Sequence, residues 1–167
     1  CRFVSALPEH LRAQLSVRLY SQDYGCCQKQ RWLDRFPGIH LDDGSVPIAS
    51  LARKSRLFVS TYNSTTFLES LATNIPTIMF WNPKHWELRD SAIPYFELLK
   101  AVGIFHETPE SATAKVAEVW SNVAEWWNQP EVQDARLYFC DRFAHMPENL
   151  IQVLKEALTT VKAGQHT

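Results

Sequence analysis

The chain has 167 residues, a length typical of one domain, and 46% of them are hydrophobic, which suits a packed globular protein and excludes a disordered one. Its 17 basic and 18 acidic residues give a net charge of −1, so no overall basic field attracts nucleic acid or an anionic membrane. No apolar run approaches the roughly 18 residues of a membrane-spanning helix, and no signal or transit peptide is visible.

The cysteines and the first residue bear on the compartment and on the extent of the chain. Cys1, Cys26, Cys27 and Cys140 form neither a C-x-x-C pair nor a zinc-ligand spacing. We therefore expect reduced thiols in a cytoplasmic protein, and no resident metal. Because the first residue is a cysteine and not a methionine, we expect residues 1–167 to be one domain of a longer polypeptide.

Short β-type runs alternate with helical patterns over the first 106 residues. The predicted strands are 17–20, 39–41, 57–61, 77–80 and 104–106. A first predicted helix follows the spacing of Leu7, Leu11 and Leu15. Other predicted helices cover 32–36, 66–72 and 94–102, and one more is capped by Ser45 and runs through Ala52. Such alternation predicts a parallel sheet covered by helices on both faces.

The last third is helical by pattern. Thr108, Pro109 and Glu110 supply a capping hydroxyl, a proline in the first turn and an early acid, which together indicate a helix start. Further helices are predicted after Pro130 and Pro147, giving a helical tail over about 108–160. The predicted fold class is therefore α/β, a Rossmann-like doubly wound parallel sheet of about five strands with a C-terminal helical tail.

The turn after the third predicted strand is the best candidate for a binding site. In doubly wound sheets, ligands bind outside the carboxyl ends of the strands. Residues 60–66 read STYNSTT and lead into a helix, whose first N–H groups favour an anion such as a phosphate. A structural interpretation competes, because Thr66 and Glu69 have the spacing of a capping box.

The stretch from about Leu15 to Arg142 resembles the C-terminal half of a bacterial surface-carbohydrate transferase family. The resemblance is carried by the segments TYNSTTFLE, IPTIMFWNP, WELRDSA and GIFHETPESA. That family is similar to CDP-glycerol glycerophosphotransferases and other enzymes of the GT-B fold, in which two Rossmann-like domains face each other across a cleft. The C-terminal domain binds the nucleotide-activated donor. Its pattern of a Ser/Thr-rich turn, a later acid and a proline is matched by Thr61, Ser64, Thr65, Glu69 and Pro76.

The resemblance implies roles for individual residues. Ser64 and Thr65 would hold the donor phosphate, Glu69 would accept hydrogen bonds from ribose hydroxyls, and Arg18 would lie beside the phosphates. A solvated edge charge is an equal alternative for Arg18. The full set of expected donor-binding residues is Arg18, Thr61, Asn63, Ser64, Thr65, Thr66 and Glu69. Tyr20 and Ser21 stand where the glycerophosphotransferases carry a His-Pro pair, which leaves the donor's identity open.

The remaining polar and aromatic candidates favour structural interpretations. His40, His85 and His106 are expected near strand ends or loops, where a single histidine is more often structural than catalytic. Glu87, Arg89 and Asp90 predict a surface charge cluster at a helix start. The spacing of Trp120, Trp126 and Trp127 favours core positions, or the seam where the tail docks on another domain.

The function implied by the resemblance is donor recognition in a GT-B-type transferase of surface-carbohydrate biosynthesis. The nucleotide-activated donor is a substrate, so no cofactor is expected. The expected partners are a glycan acceptor and a facing domain upstream of Cys1. That domain would supply the catalytic base, so we assign no catalytic residue and expect residues 1–167 to be inactive alone. The alternatives are half of a nucleotide-sugar epimerase and a non-catalytic interaction domain built on tryptophans. Peripheral attachment to the inner membrane stays open.

Overall fold

A computed structural model describes residues 1–145 and 149–164 of the chain, which combine short parallel strands with helices. The strands are Ser16–Arg18 (β1), His40–Asp42 (β2), Phe58–Ser60 (β3), Thr77–Phe80 (β4) and Phe105–His106 (β5). They form two parallel sheets within these ranges, β1-β2 and β3-β4-β5. The α/β class and the parallel pairing are confirmed, but the five strands do not form the one continuous sheet that we expected.

Helices connect the strands and form most of the second half. The α-helices are Arg2–Ala6 (α1), Glu9–Arg12 (α2), Gln28–Arg35 (α3), Ile48–Lys54 (α4), Thr65–Ala72 (α5), Ile93–Ala101 (α6), Pro109–Val119 (α7), Val123–Trp127 (α8), Pro130–Phe143 (α9) and Leu150–Gly164 (α10). The predicted start at Pro147 lies outside the described residues. Within the described ranges, no helix has the length and apolar character that a membrane span requires.

Two predicted helix starts differ from the structure, and proline explains both. The leucine spacing predicted one helix through Leu7, Leu11 and Leu15, but the structure has α2 over Glu9–Arg12 and a separate α1 that ends before Leu7, because Pro8 cannot continue a helix begun before it. Leu7 and Leu11 are nevertheless buried, as their spacing suggested. Ser45 does not cap α4, whose N-cap is Pro47. By contrast, Thr108 caps α7 as predicted, and its hydroxyl accepts a hydrogen bond from the Ser111 N–H at 3.1 Å.

The core is built around β4, whose four residues are all buried. An aromatic cluster packs beside this strand, with Trp81 centred 4.7 Å from Phe105 and 5.4 Å from Phe67. Phe139 from α9 closes the cluster, 5.2 Å from the ring of Phe96. Helix α9 therefore belongs to the core of the domain, since its packing against α5 and α6 completes this cluster.

Two of the three tail tryptophans are core residues and Trp120 packs against the core, which confirms the structural interpretation of their spacing. Trp126 and Trp127 are buried, and their indole N–H groups donate to the Val102 carbonyl oxygen and to Asn74 Oδ1. Trp120 is half-buried under the guanidinium of Arg56, 5.1 Å from the ring centroid. All six tryptophans lie within the described residues, and Trp86 alone is exposed. This distribution weakens the case for an interaction domain built on tryptophans.

We predict that Phe139→Ala lowers the free energy of unfolding by about 3–5 kcal/mol, because the side chain is 1% exposed and its removal opens a cavity among aromatic rings. The matched control is Leu137→Ala on the same helix, whose side chain is 54% exposed and should cost less than about 1 kcal/mol. Urea titrations of both variants measure the difference. Equal losses would mean that α9 does not pack on the sheet as described.

Candidate functional site

A cleft of about 1660 Å³ separates the two sheets. One wall follows β1 from Leu15 to Ser21, and the opposite wall follows β3 from Ser55 to Tyr62. Further lining comes from α1, α3, the loop after β2, α4, the loop after β4 and the start of α7. The residues that follow β1, β3 and β4 therefore border one continuous space, where a doubly wound fold binds its ligands.

The start of α5 provides hydrogen-bond donors at the end of β3. Ser64 is the N-cap residue in an extended conformation, but its side chain makes no capping hydrogen bond. Its Oγ is buried and has no partner among the described residues. The first N–H groups of α5 have no partner within the helix either. This combination suits an oxyanion such as phosphate, because N–H groups and a hydroxyl can all donate to it.

The capping-box interpretation of this turn is wrong. Since Ser64 is the N-cap, position N3 is Phe67, and Glu69 lies in the second turn of α5. A capping box requires its Glu or Gln at N3. Glu69 is exposed, and it does not line the cleft.

The structure separates the expected donor-binding residues into two groups. Arg18, Thr61 and Thr66 line the cleft. The others lie on the same turn or helix without lining it, and they are Asn63, Ser64, Thr65 and Glu69. Of residues 60–66, Ser60, Thr61, Tyr62 and Thr66 thus border the cleft.

Arg18 is held by neighbours that the sequence alone did not indicate. Its Nε forms an ion pair with Asp42 at the end of β2, and its Nη2 donates to the Val46 carbonyl oxygen at 2.6 Å. The two side chains are 23% and 10% exposed, so neither is a freely solvated charge. Arg18 therefore joins the ends of β1 and β2 while its side chain borders the cleft.

An aromatic pair at the same cleft was missed from the sequence. Tyr62 follows β3 and Trp86 follows β4, and their ring centroids lie 6.4 Å apart. Both side chains are more than 40% exposed, and both line the cleft. Their positions in the loops after two neighbouring strands were the available signal. Such rings can stack on a flat ligand such as a nucleobase.

The polar residues around Trp86 do not begin a helix as expected. Glu87, Arg89 and Asp90 are exposed, as predicted for a surface charge cluster, but they lie in the loop before α6. Helix α6 begins only at Ile93. Deeper in the cleft wall, Trp81 is 3% exposed, and its indole Nε1 has no hydrogen-bond partner among the described residues.

Comparison with known proteins gives one match. The family model of the LIC12162 family transferases matches residues 1–158. The chain belongs to this transferase family. No curated protein and no solved structure matches the chain.

The three histidines that we expected near strand ends or loops occupy different environments. His40 opens β2, at the end opposite to Asp42, and its Nδ1 lies 3.0 Å from Ser16 Oγ. His85 is exposed and lines the cleft. His106 ends β5 and is half-buried, with Nε2 3.1 Å from the Gly103 carbonyl oxygen. Burial lowers the pKa of His106, and Lys115 lowers it further, against the opposing effects of that hydrogen bond and of Glu118.

We predict that Arg18→Met lowers the free energy of unfolding by about 1–3 kcal/mol, because it leaves the nearly buried Asp42 carboxylate without its cation. The double variant Arg18→Met/Asp42→Asn should lose less than the sum of the single variants, with a coupling energy of about 1 kcal/mol or more. Urea titration of the four proteins measures the cycle. The control is Arg2→Met, since the Arg2–Glu110 pair is exposed and should contribute less than about 1 kcal/mol. Additive single losses would contradict a structural pair.

We also predict that His106 makes stability fall in mild acid. Since its pKa is lowered in the folded chain, the unfolded chain binds the proton more readily, and the free energy of unfolding decreases as the pH falls below about 6.5. For one proton the slope is at most about 1.4 kcal/mol per pH unit. Urea titrations at pH 8.0 and 5.5 should show a smaller loss for His106→Gln than for the unsubstituted protein. His85→Gln is the exposed control, and an equal effect of both variants would exclude His106 as the source.

Proposed function

We propose that this chain recognises a nucleotide-activated donor within a GT-B-type transferase that builds bacterial surface carbohydrate. The reaction is transfer of a sugar, or of a polyol phosphate, from a nucleoside diphosphate or related donor to a glycan acceptor. Membership of a transferase family supports the reaction class. The finer assignment rests on the resemblance of residues 15–142 to the donor-binding half of such enzymes and on the chemistry of the cleft.

The observation that carries the proposal is the unsatisfied start of α5. A buried hydroxyl without a partner costs free energy, and a bound ligand, ion or water that accepts or donates a hydrogen bond there offsets this cost. The Ser64 Oγ is such a group, and it lies at a helix N-terminus that directly follows a parallel strand. Phosphate oxygens accept hydrogen bonds from hydroxyl and N–H groups alike, and the helix dipole adds attraction for their charge.

Other groups at the cleft complete a nucleotide-sized set of contacts. Tyr62 and Trp86 offer exposed rings on which a base can stack, a contact that contributes about 1–3 kcal/mol per base. Arg18 offers positive charge, which its ion pair with Asp42 reduces but does not remove. Preorganised donors of this kind stabilise the negative charge that develops on the departing nucleotide. The domain's contribution to catalysis is thus electrostatic, and the base that activates the acceptor comes from a facing domain.

We predict that Ser64→Ala weakens nucleotide binding without lowering stability. Calorimetric titration of the chain with CDP, UDP, GDP and CMP should find at least one ligand. Loss of one hydrogen bond to a charged phosphate should reduce its affinity about tenfold or more. The free energy of unfolding should stay the same or rise slightly, because the hydroxyl that is removed has no partner among the residues that the structure describes.

The matched control is another helix N-cap that lies away from the cleft. Asn122 caps α8 and accepts a hydrogen bond from the Glu125 N–H at 3.3 Å. Asn122→Ala should lower stability by about 1 kcal/mol and leave nucleotide affinity unchanged. If none of the nucleotides binds, or if Ser64→Ala binds as tightly as the parent chain, the start of α5 is not a donor site.

Glu69→Gln tests the ribose role separately, as the second arm of the same experiment. Because Glu69 is exposed and takes no part in a capping box, stability should not change. A ribose hydroxyl bound to a carboxylate loses about 1 kcal/mol when the acceptor becomes a neutral amide, which is roughly a fivefold loss of affinity. An unchanged affinity beside a weakened Ser64→Ala would retain the phosphate site and remove the ribose role.

A further inference from the structure

The two sheets each leave one strand edge unpaired at the cleft. Strand β1 pairs only with β2, and β3 pairs only with β4, within the described residues. Both unpaired edges border the same space. Parallel sheets are normally buried on both faces and continuous, and an exposed strand edge invites pairing with another strand.

The backbone of β3 shows which groups are unpaired. The Phe58 N–H donates to the Pro76 carbonyl oxygen at 2.8 Å, so Phe58 and Ser60 direct their N–H and C=O groups toward β4. Alternate residues of a strand bond to opposite sides, so the N–H and C=O of Val59 point away from β4. They have no backbone partner in the described part of the chain. Val59 therefore presents one donor and one acceptor on the cleft side.

The cleft is larger than a small ligand needs, so a chain segment can lie between β1 and β3 while the donor binds at the carboxyl ends of these strands. A small-ligand site measures about 300–1,000 Å³, whereas this cleft measures about 1660 Å³ and extends along the whole length of both strands. Half-buried apolar side chains line it along both strands, from Val17 and Leu19 on one wall and from Phe58 and Val59 on the other. These side chains match the pattern of interior strands rather than of solvated edges.

The position of α1 determines the direction in which a strand leading into it would run. Arg2 lies 3.9 Å from Glu110, and the Thr113 hydroxyl donates to the Phe3 carbonyl oxygen. The first turn of α1 is thus beside the first turn of α7, which follows the carboxyl end of β5. A strand that leads into α1 must end at this same edge of the sheet, so it runs parallel to β3, β4 and β5.

We infer that the segment of the polypeptide leading into α1 forms a parallel β-strand that inserts between β1 and β3 and joins the two sheets into one. The helices α1 and α2 then form the crossover between this strand and β1, as a parallel connection requires. If the added strand is numbered 1 and β1 to β5 are numbered 2 to 6, the order across the sheet becomes 3-2-1-4-5-6. This is the doubly wound order, with a switch point beside its first strand.

The added strand also has a consequence for the donor site, a step that rests on the proposed function. In the completed sheet, Arg18 at the end of β1 and the Ser64 turn after β3 flank the added strand on its two sides. They thereby occupy the switch point, where such sheets bind nucleotides. The turn from the added strand into α1 would close the same site from the middle.

Hydrogen exchange measured residue by residue by NMR tests the inference. The experiment compares residues 1–167 with the full-length polypeptide that the gene encodes. In residues 1–167, the Phe58 amide should be protected and the adjacent Val59 amide should exchange quickly. In the gene-encoded polypeptide, exchange of Val59 should slow by at least about a hundredfold, towards the rate of Phe58. The Met79 amide, bonded to Ile104 at 2.8 Å, is the control that stays protected in both.

Two results would overturn the inference. Fast exchange of Val59 in the gene-encoded polypeptide would show that no strand is added at β3. Protection of Val59 in residues 1–167 that rises with protein concentration, together with a dimeric mass by light scattering, would identify a second copy as the occupant. Both samples contain no nucleotide, so the outcome does not depend on whether the donor site is assigned correctly.

Discussion

The burial of β4 is the constraint on which the rest of the structure depends. A strand with four buried residues must pair on both edges and be covered on both faces, because its backbone groups cannot reach water. Strands β3 and β5 supply the pairing, and the surrounding helices supply the cover. Even the polar member of the strand is satisfied internally, since the Thr77 hydroxyl donates to the Ile75 carbonyl oxygen and lies 3.0 Å from Ser70 Oγ. The loops after these strands are consequently held in place at one border of the cleft.

The sequence predicted this part of the fold well because its signals are local. Strand β4 and the end of α5 lie where the apolar pattern predicted them, and Thr108 caps α7. The helix predictions were wrong where two local sequence signals conflicted. At Pro8, the backbone restriction outweighed the leucine spacing, and at Pro47 a proline took the helix start from the serine that precedes it. The break between the two sheets could not be predicted locally, because it depends on which strands meet across the fold.

The candidate site shows the same division. The Ser/Thr turn was recognised because strand, turn and helix start are consecutive in the sequence. The partner of Arg18 was not, since Asp42 is 24 residues away and joins it only through the parallel register of β1 and β2. The Tyr62–Trp86 pair was missed for a similar reason: its two rings come from loops after different strands. Contacts between strand ends depend on the order of the strands in the sheets, which the local patterns of a single sequence do not reveal.

Ser64 links the stability of the domain to its proposed chemistry. An N-cap serine ordinarily accepts a hydrogen bond from the first turn of its helix, and Thr108 at α7 does so. Ser64 does not, and its buried hydroxyl has no partner in the described part of the chain, at the helix start that follows β3 directly. If the Ser64 hydroxyl accepted a capping hydrogen bond from α5, the hydroxyl and one N–H group of the helix would both be occupied. In the proposed phosphate site, the open arrangement would keep both for the ligand at some cost in stability, which is the trade-off expected where binding and not folding selects the geometry.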